Sequence, residues 1–169
     1  MSGLSEGRLT FNFSYAIRAE RLDDRGRQIP IGMSLVDFVV EGAERVLLVE
    51  VKDPEGAVAE HRKQAVARFV RELRRDRLVN ERLVPKARDS YTYLHLMRRD
   101  KKAFVFVAVL GVPTDEALLL GFKERLLARV RQETDEPWKR HYVADCVVVT
   151  PNNWSEVFPE FPLNVTNDE

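Results

Sequence analysis

The sequence predicts a single α/β domain with three layers, α/β/α, in which helices cover both faces of a central mixed β-sheet. Three observations support this fold class. The chain has 169 residues, of which 44% are hydrophobic, enough for one sizeable core. Continuous apolar runs at residues 35–40, 45–52 and 103–110 are typical of strands buried on both faces. Helical periodicity alternates with the later strands, which implies right-handed crossovers.

The first element is predicted to be a strand over residues 8–18, because apolar and polar side chains alternate there. Its inward-facing residues are expected to be Leu9, Phe11, Phe13, Tyr15 and Ile17. A turn follows at residues 23–27. The runs 35–40 and 45–52 are then expected to pair as a hairpin through the short turn at residues 41–44.

Two amphipathic helices and two further strands are predicted in the rest of the chain. The first helix, about residues 57–80, has an apolar stripe formed by Val58, Val66, Phe69, Val70 and Leu73. The second, about residues 115–133, has one formed by Leu118, Leu119, Phe122, Leu126 and Val130. Strands are expected at residues 103–110 and 143–149. The aromatic and proline-rich tail, residues 151–169, is expected to pack on the body or on a second subunit.

Length and composition limit the class of protein. With no repeat or linker, we expect one domain over residues 1–169 with a core at about residues 34–150. No apolar run reaches the roughly 18–20 residues of a membrane span, and the N-terminus lacks a secretory signal, so a cytoplasmic protein without membrane contact is expected. The single cysteine, Cys146, cannot form an internal disulfide, and three scattered histidines give no zinc pattern.

Three ionisable residues interrupt the apolar runs of the predicted hairpin. Asp37 lies within the first run, and Glu50 and Lys52 close the second. Side chains two residues apart in a strand share a face, so Glu50 and Lys52 project together. Hairpin pairing can bring Asp37 near Glu50 across the ladder. An unpaired buried charge costs several kcal/mol, so a partner is expected, and two carboxylates suit Mg²⁺ or Mn²⁺.

This arrangement resembles a known nuclease motif. After a gap of twelve residues, Asp37 is followed by the run Glu-Val-Lys at positions 50–52. The pattern is similar to the core of the PD-(D/E)xK nuclease superfamily, which has the restriction-endonuclease-like fold, and the similarity covers about residues 34–110. It implies that Asp37 and Glu50 bind the metal with help from the Val51 carbonyl. Lys52 would act on the attacking water.

Three other positions bear on the resemblance. Val36 stands where the name of the motif has proline. Many members supply a further metal-binding acid from a helix before the hairpin, and Glu20 is the best candidate here. Some carry a Gln or Lys on the helix after the ExK strand that reaches back to the site. Gln64, beside Lys63, is the corresponding candidate, and an ordinary exposed polar residue is the alternative.

Positive charge is concentrated directly after the motif. Residues 57–102 contain fourteen basic and six acidic residues, although the whole chain has a net charge of zero. The candidate contacts to a nucleic-acid backbone are Arg62, Lys63, Arg68, Arg71 and Arg75. Such a stripe suits phosphate neutralisation. The alternative is a solvated helix face, with which the interleaved Glu72 and Asp76 agree.

The predicted function is a metal-dependent endonuclease that hydrolyses phosphodiester bonds of DNA, with RNA left open as a substrate. Mg²⁺ or Mn²⁺ would be the cofactor, and cleavage of both strands would call for a homodimer. The leading alternative is a catalytically inactive protein of nuclease fold that acts as a nucleic-acid-binding or assembly subunit. A third reading treats the motif as a coincidence in a small-molecule or protein-interaction domain.

Overall fold

The structure, a computed structural model, describes residues 3–24, 26 and 28–167. The strands of this part of the chain are β1 (Leu4–Glu6), β2 (Leu9–Phe11), β3 (Arg18–Arg21), β4 (Phe38–Glu41), β5 (Arg45–Lys52), β6 (Ala103–Leu110), β7 (Asp145–Val149) and β8 (Leu163–Val165). The helices are α1 (Ala59–Leu73), α2 (Val84–Leu96), α3 (Glu116–Arg131) and the short α4 (Trp154–Val157). A 3₁₀ turn, Pro54–Gly56, precedes α1, and a π-helical segment, Leu78–Leu83, leads into α2.

The described strands form two sheets. The larger is mixed, with the spatial order β3-β4-β5-β6-β7. Strands β3, β4 and β5 are antiparallel neighbours, and the predicted hairpin of β4 and β5 is confirmed. Strands β5, β6 and β7 are parallel, so their carboxyl ends lie at one edge. The smaller sheet is antiparallel, with the order β1-β2-β8.

Helices cover one face of the large sheet, and the small sheet covers most of the other. Side chains of α1, α2, α3 and the π-helical segment pack on the first face, which we name the helix face. On the second face the cover consists of aromatic residues from the small sheet, its flanking loops and the tail: Phe11, Phe13, Trp154, Phe158 and Phe161. The chain is therefore mixed α/β, but the predicted helix layer on the second face is replaced by β-structure and one four-residue helix.

The predicted N-terminal strand of residues 8–18 is wrong in its second half. Leu9, Phe11 and Phe13 are buried as expected, whereas Tyr15 and Ile17 are exposed. The chain turns at this point, because the Asn12 side chain accepts a hydrogen bond from the Ser14 N–H and the Ala16 N–H donates to the Phe13 carbonyl. Strand alternation ends at that turn, and Ala16 is buried instead.

The first predicted helix is also shorter than residues 57–80. Helix α1 ends at Leu73, where the next two N–H groups bond to carbonyls three residues back, which tightens the last turn. Val58, predicted on the apolar stripe, is the exposed residue before the helix. Strand β6 has the predicted bounds, and the tail packs on the body as expected. None of the described helices combines the length and the apolar character needed to cross a membrane.

Candidate active site

Asp37 and Glu50 are neighbours across the β4–β5 ladder. Phe38 pairs with Val49, so the same register places Asp37 opposite Glu50. The Asp37 carbonyl accepts a hydrogen bond from the Leu22 N–H on the β3 side, so the backbone groups of Asp37 point away from β5. The two acids therefore form a non-hydrogen-bonded pair, in which Cα atoms are only about 4.5 Å apart and side chains lie closest.

Both carboxylates are buried on the helix face. Their residues are 4% and 1% exposed, respectively. The Val51 N–H donates to Asp37 Oδ2 at 2.7 Å. Because the N–H and C=O of one strand residue point to the same neighbouring strand, the Val51 carbonyl also faces the Asp37 side. The three oxygen sources predicted for a metal thus belong to neighbouring positions at the carboxyl end of β5.

Two lysine side chains cover the Glu50 carboxylate. Lys52 Nζ lies 2.6 Å from Glu50 Oε1. Lys86 Nζ lies 2.8 Å from Oε1 and 3.0 Å from Oε2. The Lys52 and Lys86 side chains are 25% and 20% exposed, so they are the part of the cluster that solvent reaches. Two buried acids and two ammonium groups give the cluster a nearly balanced charge.

Asp37 is the strained member of the cluster. Burial and the neighbouring Glu50 charge raise the pKa of Asp37 from 3.8 to about 7, although the Val51 N–H and Lys86 act in the opposite direction. Asp37 therefore keeps its proton to a higher pH than an ordinary aspartate does. Burial lowers the pKa of Lys86, but the Glu50 carboxylate outweighs it and the net pKa is raised. A divalent cation beside Asp37 would favour its ionised form.

Lys86 is the functional candidate that the sequence reading missed. It stands on α2, 36 residues after Glu50. The signal was present, because Lys86 lies three residues after Leu83 and four before Ser90, both fully buried on the same face of the helix. A lysine on such a buried stripe needs an acidic partner, and that partner is Glu50.

Helix α2 also fixes the start of β4. Ser90 Oγ accepts a hydrogen bond from the Val36 N–H at 2.9 Å, and Asp89 Oδ2 accepts one from the Ser34 N–H at 2.9 Å. These bonds hold the residues directly before Asp37. One helix thus supplies Lys86 and positions the segment that carries the opposing acid.

Asp53, directly after Lys52, anchors the end of β5 on the other side of the sheet. Its carboxylate accepts bonds from the Arg8 N–H at 2.7 Å and from the Arg8 guanidinium at 2.9 Å. The glycines at positions 7, 56 and 111 crowd this carboxylate so closely that a Cβ on any of them would lie 2.5–2.8 Å from an Asp53 oxygen. The Gly111 N–H donates to the Lys52 carbonyl at 2.7 Å, so this unit holds the backbone of Lys52.

The remaining predicted site residues lie elsewhere. Glu20 forms ion pairs with Arg99 and Arg18, 2.7 and 2.8 Å away. Burial alone would raise the pKa of Glu20, but those two partners lower it to about 2. Besides Glu50, the acid whose charge helps to raise the pKa of Asp37 is Glu6, which is paired with Arg21. Gln64 is exposed on α1, and no described contact links it to Asp37 or Glu50.

The basic residues of α1 form a separate surface. Lys63, Arg68, Arg71 and Arg75 are exposed, and Arg62 is half-buried. The helix begins seven residues after Lys52 and follows the 3₁₀ turn Pro54–Gly56. The surface is available to a partner, but it is not part of the carboxylate cluster.

The donor set fits a hard divalent cation. Asp37, Glu50 and the Val51 carbonyl offer oxygen atoms, which Mg²⁺ and Mn²⁺ prefer. Among residues 3–24, 26 and 28–167, no group of three or more His, Cys, Asp or Glu side chains is arranged to hold a metal. A bound cation would therefore rest on two carboxylates and one carbonyl, with water or substrate oxygens completing its shell. It would also have to displace ammonium groups from Glu50.

Comparisons with known proteins provide no name for this arrangement. No family model matches the chain, and neither the curated proteins nor the solved structures contain a match.

Proposed function

We propose that the chain is a metal-dependent phosphodiesterase that cuts DNA. The observation that carries the proposal is the buried pair of Asp37 and Glu50, placed side by side on the helix face with a lysine two residues along β5. Burying two adjacent acids is unfavourable unless a positive charge compensates them. A phosphodiesterase uses such a pair to hold a cation beside the phosphate.

Each residue has a distinct role in this proposal. Asp37, Glu50 and the Val51 carbonyl would hold the cation. When bound, the cation would polarise the phosphate and lower the pKa of water. Lys52, whose ammonium sits at the exposed rim of the cluster, would orient the attacking water or neutralise charge on the phosphate. Lys86 would compensate Glu50 in the absence of the cation.

The test is cleavage of supercoiled plasmid and of single-stranded DNA with Mg²⁺ or Mn²⁺. We expect Glu50→Ala and Lys52→Ala each to reduce the rate by about a hundredfold or more. Glu44→Ala and Lys139→Ala are matched controls, because both side chains are exposed and lie outside the cluster. Equal rates in all four variants and the wild type would contradict the assignment of the site.

The exposed bases of α1 are proposed to hold the DNA backbone. Replacing Arg68, Arg71 and Arg75 together by Gln should weaken binding of a short duplex. The slope of log K against log salt should become shallower by about 2–3, since each lost phosphate contact contributes about 0.9. An unchanged slope would mean that this face is only solvated.

A non-catalytic nucleic-acid-binding subunit is the second candidate. The observation that favours it is the saturation of Glu50, whose oxygens are all bonded to ammonium groups. In that case the two lysines replace the cation permanently. DNA binding that is strongly salt-dependent, together with no heat of Mn²⁺ binding in calorimetry, would select this candidate over the enzyme.

A further inference from the structure

A pocket rich in basic residues lies at the carboxyl end of α2, whereas Lys86 lies near the amino end of that helix. It has a volume of about 160 Å³ and is lined by Glu41, Val46, Arg98, Arg99, Lys101 and Lys102. Like the carboxylate cluster, it opens on the helix face, because Val46 belongs to the same core as Leu48. Val46 and Glu50 are four residues apart on β5, which corresponds to about 13 Å.

Two of the four bases are fixed in place by acids. Lys102 Nζ donates to Glu41 Oε1 at 2.9 Å and to the Gly42 carbonyl at 2.8 Å. Arg99 pairs with Glu20 at 2.7 Å. Within the described part of the chain, the other two, Arg98 and Lys101, form no ion pair, and both are exposed. The pocket therefore has two bases whose charge is balanced by acids and two exposed bases that are available to a ligand.

Arg98 occupies a backbone position that favours glycine. Its φ is 55°, in the left-handed region. The Arg98 N–H donates to the His95 carbonyl at 3.0 Å, and the Arg99 N–H donates to the Leu94 carbonyl at 2.8 Å. These two bonds define a Schellman end of α2, with Arg98 at the position where glycine is usual because it has no Cβ penalty. Arg98 thus ends the helix at a backbone cost that glycine would avoid, and it lines the pocket.

We propose that this pocket binds a phosphate group of the nucleic-acid strand, with Arg98 and Lys101 as the contacting cations. The proposal rests on the proposed function for its ligand. A separation of about 13 Å corresponds to about four nucleotide steps along the axis of a nucleic-acid helix, each with a rise of about 3.4 Å. A strand held at this pocket could thus extend along α2 to the carboxylate cluster. The pocket would position the substrate without taking part in the chemistry.

The test compares Arg98→Gly and Lys101→Gln with Lys139→Gln, a control on an exposed base that does not line the pocket. Binding of a fluorescein-labelled single strand of about 20 nucleotides is followed by anisotropy, with and without inorganic pyrophosphate as competitor. We expect Arg98→Gly and Lys101→Gln to weaken binding by about five- to tenfold and to reduce the salt dependence. Arg98→Gly should at the same time raise the midpoint of urea unfolding, because the strain at this position is removed.

Binding by Arg98→Gly and Lys101→Gln that equals that of the control would overturn the proposal. Failure of the proposed function has a different signature, because Mn²⁺ uptake at Asp37 and Glu50 does not depend on this pocket. A wild-type protein that binds pyrophosphate but no DNA, with the pyrophosphate affinity lowered in Arg98→Gly, would support the phosphate pocket and contradict the nucleic-acid partner. Loss of neither ligand in either variant would exclude the pocket as a site.

Discussion

Two buried aspartates at the end of the same hairpin have opposite surroundings. Asp53 accepts a backbone N–H and a guanidinium, both from Arg8, and three glycines pack against it. Asp37 accepts one backbone N–H and faces a second carboxylate, Glu50. The first acid has every partner it needs within the fold. The second has a raised pKa because it is buried next to a like charge, and the Val51 N–H and Lys86 offset this only in part.

This difference is the reason for assigning a structural role to Asp53 and for proposing a functional one for Asp37. A buried charge that has all its partners stabilises the geometry around it, whereas a buried charge without a countercharge lowers the stability of the fold. Strongly shifted pKa values are concentrated at functional sites, where a bound ligand can neutralise the charge. Asp53 therefore explains how the end of β5 is held, and the surroundings of Asp37 are the basis for proposing a cation there.

Removing Asp53 should have the largest effect on stability. Asp53→Ala leaves Arg8, whose side chain is 13% exposed, with the half-buried Glu55 as its remaining acidic partner, and opens a hole between three glycines. We expect the free energy of unfolding to fall by about 3–5 kcal/mol in urea denaturation. Arg77→Ala, which breaks the exposed pair with Glu81, is the control and should change it by less than about 0.5 kcal/mol. If Asp53→Ala lost as little free energy of unfolding as the control, Asp53 would not be the stabilising acid of the two.

Neutralising Asp37 should instead increase the free energy of unfolding. The folded-state pKa of Asp37, about 7, lies above its ordinary value of 3.8, so the folded protein binds more protons than the unfolded chain between these values. The contribution of Asp37 to stability therefore decreases as the pH rises through this range. Asp37→Asn cannot ionise, so its free energy of unfolding relative to wild type should increase by about 2 kcal/mol from about pH 5 to about pH 8. A difference that is the same at both pH values would show that ionisation of Asp37 does not lower stability.

Changing Lys86 should have a smaller effect, on metal affinity. Lys86 competes with a cation for the Glu50 oxygens, to which it lies 2.8 and 3.0 Å away. In calorimetry, Lys86→Gln should bind Mn²⁺ about tenfold more tightly than wild type, a difference of about 1.4 kcal/mol. Lys63→Gln, on the exposed face of α1, should leave the affinity unchanged. Weaker binding by Lys86→Gln would mean that Lys86 supports the cation instead of replacing it.

The sequence predicted the part of the site that depends on local pattern. Strand alternation and a short turn are enough to place Asp37 opposite Glu50, and the register of β4 and β5 agrees with that expectation. Lys86 could not be paired with Glu50 in this way, because their contact depends on how α2 packs on the sheet. The same limit applies to Glu20, which ends beside Arg99, a residue 79 positions away.

As with the site, the sequence predicted the parts of the fold that depend on local pattern. The buried strands and the apolar stripe of α3 follow from hydrophobic periodicity. The second face of the sheet was predicted as helical, but aromatic side chains from both ends of the chain cover it, and Phe11 meets Trp154 at a ring distance of 4.9 Å. Such contacts between distant segments leave no periodic signal. The turn at Asn12, which exposes Tyr15, is set by a single side-chain bond.

The most direct test of the Asp37–Glu50 site is calorimetric titration with Mn²⁺ at about pH 8 and about pH 6. Wild type and the control Glu20→Gln should each bind about one ion per chain. The affinity should fall by about tenfold in total from pH 8 to pH 6, because Asp37, whose pKa is about 7, must lose its proton. Asp37→Asn and Glu50→Gln should lose binding at both pH values. No uptake by wild type, or equal uptake by all four proteins, would contradict a metal site at these two carboxylates.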